Sequence, residues 1–75
     1  MRAYVFVNVK AGKTKEVAAR LRELEGVTAV DPCWGTPDII AVVSVKTERA
    51  LNDLVLNRMQ KLPGVEHTDT HITLD

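Results

Sequence analysis

The chain has 75 residues, of which 45% are hydrophobic and 27% charged, so its composition is that of one small globular domain and excludes a disordered segment. Ten basic residues balance ten acidic ones, which leaves no excess positive charge for a nucleic-acid backbone and argues against autonomous DNA binding. The single cysteine excludes an internal disulfide and a Cys-x-x-Cys metal site.

The first half of the chain predicts a strand, a helix and a second strand. Residues 3–9 are rich in β-branched and aromatic side chains, which favour a strand. This opening segment has no signal-peptide cleavage site and no long apolar run, so we expect a cytoplasmic protein without membrane contact. Thr14 is predicted to cap a helix, Gly26 to follow it, and residues 27–34 to form the second strand. The apolar stripe of that helix comprises Val17, Ala18, Leu21 and Leu24.

The second half repeats this pattern after a turn. Residues 35–38, Gly-Thr-Pro-Asp, lead into a very apolar strand at 39–45. Thr47 is predicted to cap a second helix, which the Pro63-Gly64 pair ends, and residues 65–74 form the last strand. The apolar stripe of the second helix comprises Leu51, Leu54, Val55, Met59 and Leu62.

The resulting order, β-α-β-β-α-β, predicts an α+β, ferredoxin-like fold over residues 1–75 as a single domain. Its four-stranded antiparallel sheet carries two helices on one face. The first and third strands are the apolar ones and are expected at the centre, while the polar second and fourth strands are expected at the edges.

Both central strands are apolar on both faces, although the two helices can cover only one of them. A sheet with one face in water should instead alternate apolar and polar side chains. We therefore predict a homodimer in which two sheets pack face to face, giving a dimeric α/β barrel.

Several residues that often carry chemistry have simpler interpretations here. His67 and His71 lie four residues apart, which on a strand separates them by about 13 Å, too far to share one metal ion. Cys33 is interpreted as a small buried filler, and Trp34 as a residue of either the core or an interface. The sequence contains no recognisable catalytic set, so we predict neither an enzyme nor a cofactor or metal site.

The turn at residues 35–38 either simply reverses the chain or forms part of a binding site. Gly35 permits close approach of a ligand to the main chain, and Asp38 offers a carboxylate for an ammonium group. On the last strand, Thr68 and Thr70 share one face, and their hydroxyls both donate and accept hydrogen bonds. Together these groups suit a free amino acid.

The segments CWGTPDIIAVVSV and LNRMQKLPGVEHTDTHITLD resemble the effector domain of the Lrp/AsnC family of regulators, often called the RAM domain. The family's Gly-x-x-Asp turn falls on Gly35 and Asp38, its Leu-Pro-Gly-Val helix end on residues 62–65, and its Thr-x-Thr strand on Thr68 and Thr70. The helix-turn-helix domain with which family regulators begin is missing, so the chain looks like a stand-alone effector domain.

The resemblance implies a sheet-to-sheet dimer that assembles into a ring of about eight subunits, with an amino-acid effector bound between dimers. It also implies action on transcription through full-length family regulators as partners, and no direct DNA binding. Pro37 stands where the family commonly has an aromatic residue, and it removes a backbone donor. The implied ligand-binding residues are Gly35, Thr36, Pro37, Asp38, Thr68 and Thr70.

Three alternatives share parts of this pattern. A monooxygenase-like dimeric α/β-barrel enzyme has the same size and strand order and would rely here on Asn8 and Trp34. An ACT-like regulatory domain would bind its amino acid after the first strand, at Ala11 and Gly12. A purely structural interaction domain would bind no small molecule at all.

Overall fold

A four-stranded antiparallel sheet packs against two helical segments in this computed structural model, which describes residues 1–74 of the chain. The predicted β-α-β-β-α-β order and the ferredoxin-like arrangement are confirmed. The second helical segment consists of a short α-helix that continues directly as a π-helix. The elements are β1 (Arg2–Val9), α1 (Thr14–Arg22), β2 (Val27–Pro32), β3 (Ile39–Ser44), α2 (Glu48–Asn52), the π-helical segment (Asp53–Met59) and β4 (Val65–Ile72).

The strands follow the order β2-β3-β1-β4, so the two apolar strands lie at the centre, as predicted. Val7 lies opposite Ile39 of β3 and Thr68 of β4, which fixes the register on both sides of β1. A bulge between Asn8 and Val9 shifts the β1–β4 pairing at the end of the strand.

One face of the sheet forms the floor of the hydrophobic core. Because side chains alternate along a strand, the odd-numbered residues of β1 and β3 all point to this face and are buried. The helices cover it with the apolar stripes that their spacing predicted. The buried residues are Ala3, Val5, Val7, Val9, Val17, Ala18, Leu21, Val30, Ile39, Ala41, Val43, Leu51, Leu54, Val55 and Met59.

The opposite face, which we call the open face, is uncovered by any described segment. Tyr4, Phe6, Ile40 and Val42 form its apolar centre and are all partly exposed. Polar side chains from the edge strands surround this centre, namely Asp31 of β2 and His67, Asp69 and His71 of β4. The prediction that the central strands are apolar on both faces is therefore confirmed.

The two helix starts differ in their capping. The hydroxyl oxygen of Thr47 accepts a hydrogen bond of 3.0 Å from the backbone N–H of Ala50, so the predicted cap of the second helix is confirmed. Thr14 was the wrong cap for the first helix. It is the first helical residue, and Lys13 occupies the capping position without a side-chain hydrogen bond.

The π-helical segment is a feature that the apolar spacing did not predict. Its last hydrogen bond runs from the N–H of Gln60 to the carbonyl of Val55, five residues back, at 2.9 Å. The wider turn still buries the predicted stripe, because Leu54, Val55 and Met59 all face the core.

The predicted extent of β2, residues 27–34, was wrong at its end. The strand stops at Pro32, whose ring nitrogen cannot donate to a ladder, and the chain then turns away. Trp34 is fully exposed and takes no part in the core. Cys33 is partly exposed rather than a buried filler, and its thiol donates to the carbonyl of Asp31 at 3.4 Å.

Candidate functional site

The turn between β2 and β3 holds the four residues of the predicted Gly-x-x-Asp element. It is closed at its base by the Cys33 N–H, which donates to the Asp38 carbonyl at 2.7 Å. The Thr36–Pro37 peptide is cis. Gly35 has φ of +103°, which only glycine adopts readily, and no residue other than its two chain neighbours lies within 4 Å of where a Cβ would stand. The backbone at Gly35 is therefore open to approach from outside the protomer.

Asp38 connects this turn to the end of β1. Its Oδ2 accepts a hydrogen bond of 2.8 Å from the N–H of Val9, and its own N–H donates to the carbonyl of Val7 at 3.0 Å. The pairing of β1 with β3 ends at Val7 and Ile39, so the carboxylate supplies an acceptor for a β1 N–H that lies just beyond the end of that ladder. Asp38 thus has a structural role in addition to any role in binding, and its carboxylate is held in one position.

Thr68 and Thr70 lie on the other edge of the sheet and on the helix-covered face. They pair with Val7 and Val5, whose side chains are buried in the core, so the threonine side chains point to that same side. The Thr68 hydroxyl accepts a hydrogen bond of 2.8 Å from Nε2 of Gln60. Both threonines line a groove of about 250 Å³ between the second helical segment and β4, which we call the threonine groove. Its lining residues are Leu51, Asn52, Val55, Leu56, Gln60, Thr68, Thr70 and Ile72.

One protomer does not bring the turn and the threonines into a single pocket. Strand β1 lies between β3, which begins just after Asp38, and β4, which carries Thr68. Two strand spacings correspond to about 10 Å. None of the four turn residues lines the threonine groove. The turn and the threonine groove are therefore two separate surfaces of one protomer.

Asn8 belongs to the enzyme alternative, Gly12 to the ACT-like alternative, and His71 to the metal site that the strand spacing argued against. Asn8 lies on the open face, and its Oδ1 is buried without a hydrogen-bond partner among the described residues. Nε2 of His71 is 3.2 Å from Oδ2 of Asp69, and its ring packs on Phe6 with 4.8 Å between ring centres. Gly12, the ACT-like candidate, adopts φ of +83° with open space around it.

No three histidine, cysteine, aspartate or glutamate side chains of residues 1–74 lie close enough together to hold a metal ion. None of the helices in the described part of the chain has the length and apolar character needed to cross a membrane.

A larger groove, of about 520 Å³, lies at the opposite end of the sheet from the turn. We call it the ionic groove, because acidic Glu25 and Asp53 and basic Lys46 and Arg58 all line it. Nε of Arg58 is 3.7 Å from Oδ2 of Asp53, and both side chains are more than half exposed. Sequence reasoning missed this groove because its residues come from separate segments that only the folded chain brings together.

Comparison with known proteins identifies relatives over nearly the whole chain. The profile of the Lrp/AsnC ligand binding domain matches residues 2–75. The HTH-type transcriptional regulator FL11 of Pyrococcus horikoshii is 36% identical over 74 residues, which are 99% of this chain and 48% of that regulator. This chain spans about half the length of the curated relatives that it matches.

Solved structures share the fold. A protein from Thermus thermophilus superposes with a TM-score of 0.93 at 27% identity, covering 99% of this chain and 92% of that one. The transcriptional regulator NMB0573 of Neisseria meningitidis, solved as a complex with L-Met, superposes with a TM-score of 0.87 at 21% identity. That match covers 99% of this chain and 49% of the regulator.

Proposed function

Because the chain belongs to the Lrp/AsnC ligand-binding domain family, we propose that it is an amino-acid-binding regulatory module with no reaction of its own. The effector binds where two dimers meet, between the turn of one protomer and the threonines of another. The observation that carries this proposal is the match of residues 2–75 to a ligand-binding domain. The L-Met complex of the Neisseria regulator, which shares the fold, supports an amino acid as the effector.

The turn supplies the groups that the backbone of an amino acid requires. The Asp38 carboxylate has further lone pairs beyond the one that Val9 uses, and these accept from the effector's ammonium group. The open backbone at Gly35 and Thr36 offers N–H groups to the effector's carboxylate. Pro37 has no backbone N–H to donate, so we place the effector's carboxylate on the Gly35 side of the turn.

Two kinds of contact between protomers complete the site. The open face packs on that of a second copy to form the dimer, since its apolar centre is otherwise left in water. Fully exposed Trp34 then provides a contact surface next to the turn for assembly of dimers into a ring of about eight subunits. In this way the turn of one protomer lies next to the threonine groove of another protomer, although the two parts are separated within a single chain.

Regulation follows from this placement. An effector that binds only where dimers meet has a higher affinity for the assembled state than for separate dimers. It therefore stabilises the assembled state, and the size of the effect is set by this difference in affinity. Action on transcription takes place through co-assembly with full-length family regulators, and DNA itself is contacted by those partners.

A thermal-unfolding screen against the protein amino acids at millimolar concentration tests the proposal. A ligand at about 100 times its dissociation constant adds about 2.7 kcal/mol to the free energy of unfolding. For a domain of this size that corresponds to a rise in Tm on the order of 10 °C. A rise with one or a few amino acids is expected, and no response to any of them would refute the binding proposal.

Asp38→Asn is the variant that separates binding from folding. Its amide oxygen still accepts from the Val9 N–H, but its negative charge is gone. We expect the Asp38→Asn protein to fold and to lose the effector response. The matched control is Glu23→Gln, which removes an exposed carboxylate at the end of α1, outside the open face, and should leave the response unchanged.

A further inference from the structure

Trp34 is the only tryptophan of the chain, and its side chain is fully exposed. Tryptophan is highly buried on average, and it is enriched among the residues that dominate the binding energy of protein interfaces. We infer that the indole of Trp34 inserts into the threonine groove of a neighbouring copy of this chain. The inference rests on the assembly in the proposed function and adds to it the contact that joins one dimer to the next.

The lining of the threonine groove matches the chemistry of an indole. Half of its residues are apolar, namely Leu51, Val55, Leu56 and Ile72, and half are polar but uncharged, namely Asn52, Gln60, Thr68 and Thr70. Leu56 and Ile72 leave 51% and 43% of their surface exposed. An indole has a large apolar body and one N–H donor, so it covers the apolar residues and offers a hydrogen bond to the polar ones.

Gln60 provides an acceptor for the indole N–H. Its Nε2 donates to the Thr68 hydroxyl at 2.8 Å, and this bond orients the amide group while its Oε1 stays available. A buried indole N–H usually has a hydrogen-bond partner. Leu74, the other fully exposed large apolar residue of residues 1–74, has no side-chain donor and would cover the acceptor without pairing it. The groove therefore favours Trp34 over Leu74.

Trp34 and the threonine groove are apart in one protomer. Trp34 lies between β2 and β3, and the groove lies along β4, on the other side of β1. Neither Trp34 nor any residue of the following turn lines the groove. The indole and the groove have complementary chemistry but do not meet within a chain, so a second copy supplies the partner for each.

The resulting contact joins two unlike surfaces. Each copy carries one exposed indole and one groove on opposite sides of β1, so a contact between two copies leaves an indole and a groove free for further copies. Such a heterologous contact closes into a ring or continues as a filament, whereas the open face pairs with its own kind and stops at two copies. The two contacts together build a ring of dimers.

Tryptophan fluorescence tests the inference, because Trp34 is the only residue of its kind and the emission reports on it alone. The wild-type chain is diluted without any amino acid and followed by emission spectra, acrylamide quenching and sedimentation velocity. In the assembled state we expect an emission maximum at shorter wavelength and weaker quenching than in separate dimers. An indole that stays fully open to acrylamide in an assembly larger than a dimer overturns the inference, and so does the absence of any such assembly.

Trp34→Ala removes the indole from the contact. Because Trp34 is fully exposed within the protomer, its truncation should leave the fold and the dimer intact. We expect the contact between dimers to weaken about 30-fold or more, so that the variant sediments as a dimer where the wild type is larger. Leu74→Ala is the matched control and should assemble as the wild type does. Loss of assembly in Leu74→Ala but not in Trp34→Ala assigns the groove to Leu74 and overturns the inference.

Leu56→Lys tests the groove without changing Trp34. The new charge meets an uncharged lining that offers it no counter-charge, so we expect dimers whose Trp34 emission is that of an open indole. Ala19→Lys is the control, because it places the same charge at an exposed position of α1 outside the groove. A shielded indole in Leu56→Lys assemblies would show that Trp34 packs elsewhere.

The outcomes distinguish this inference from the proposed function. The fluorescence and sedimentation measurements use no amino acid, so their results are independent of the thermal-unfolding screen. A shielded indole with no response to any amino acid supports the contact and refutes the effector. A response to an amino acid with an indole that stays open in the assembly supports the effector and overturns the contact.

Discussion

At the scale of single residues, Asp38 has a structural role in the fold and is also the residue that we propose for the effector's ammonium group. Its Oδ2 accepts a hydrogen bond from the Val9 N–H just beyond the end of the ladder between β1 and β3. The turn itself was predictable from Gly-Thr-Pro-Asp. This hydrogen bond was not, because residues 9 and 38 are brought together only when β3 pairs with β1.

Truncation of Asp38 should therefore destabilise the protein even without ligand. A hydrogen bond to a charged group contributes about 1.5–3 kcal/mol. We expect Asp38→Ala to lower the free energy of unfolding by about that amount, and Asp38→Asn by clearly less, as measured by urea denaturation. Equal losses in the two variants would contradict a role for the Val9 hydrogen bond.

Asn8 has a buried side-chain oxygen that lacks a hydrogen-bond donor among the described residues. Its buried Oδ1 accepts no hydrogen bond from the described residues, and such an acceptor costs about 1–3 kcal/mol. Asn8→Val replaces the amide with a strand-forming apolar side chain, and we expect it to raise the free energy of unfolding by about 1 kcal/mol. Asn8→Asp, its nearly isosteric counterpart, should lower it, because an unpaired charge replaces an unpaired amide. A loss of stability in Asn8→Val would contradict this expectation.

At the scale of elements, the two threonines that precede or begin helices provide a direct test of capping. Thr47 makes the capping hydrogen bond to Ala50, whereas Thr14 is already inside the first turn and makes none. Thr47→Ala is expected to cost about 1 kcal/mol of unfolding free energy, and Thr14→Ala only a few tenths. Urea denaturation of both variants measures this difference, and a larger loss in Thr14→Ala would contradict it.

The elements also show what local patterns can and cannot determine. Apolar spacing identified every helix and strand, because an element that buries one face repeats its apolar residues with the period of a helix or of a strand. It did not identify the π-helical segment, since Leu54, Val55 and Met59 fit the core in either helical register. It also predicted that Thr68 and Thr70 share a face, but not that this is the helix-covered face. That depends on the pairing of β4 with β1 and on the bulge at Asn8.

At the scale of the whole molecule, the proposed effector site depends on the proposed assembly. The turn lies on one side of β1 and the threonine groove on the other, and for this reason the proposed effector site uses the turn of one protomer and the groove of another. The sequence nominated both parts from their chemistry and from the family pattern. The two parts are separated within a protomer because of the strand order, and strand order cannot be predicted from a short motif.

The open face provides the test of that assembly. Val42 lies in the centre of the face on β3, opposite Tyr4, and is partly exposed. Val42→Lys would bury an unpaired charge in a sheet-to-sheet dimer, at a cost of several kcal/mol. At about 1.4 kcal/mol per tenfold change, dimer dissociation should become more than about 100-fold easier.

Sedimentation equilibrium measures this change directly. We expect the wild-type chain to be dimeric or larger and Val42→Lys to be monomeric at the same micromolar concentration, with its secondary structure retained. The control is Ala19→Lys, which places the same charge at an exposed position of α1 on the far side of the sheet and should leave the assembly intact. If Val42→Lys assembles as the wild type does, the dimer does not form through the open face, and the effector site must be built from other contacts.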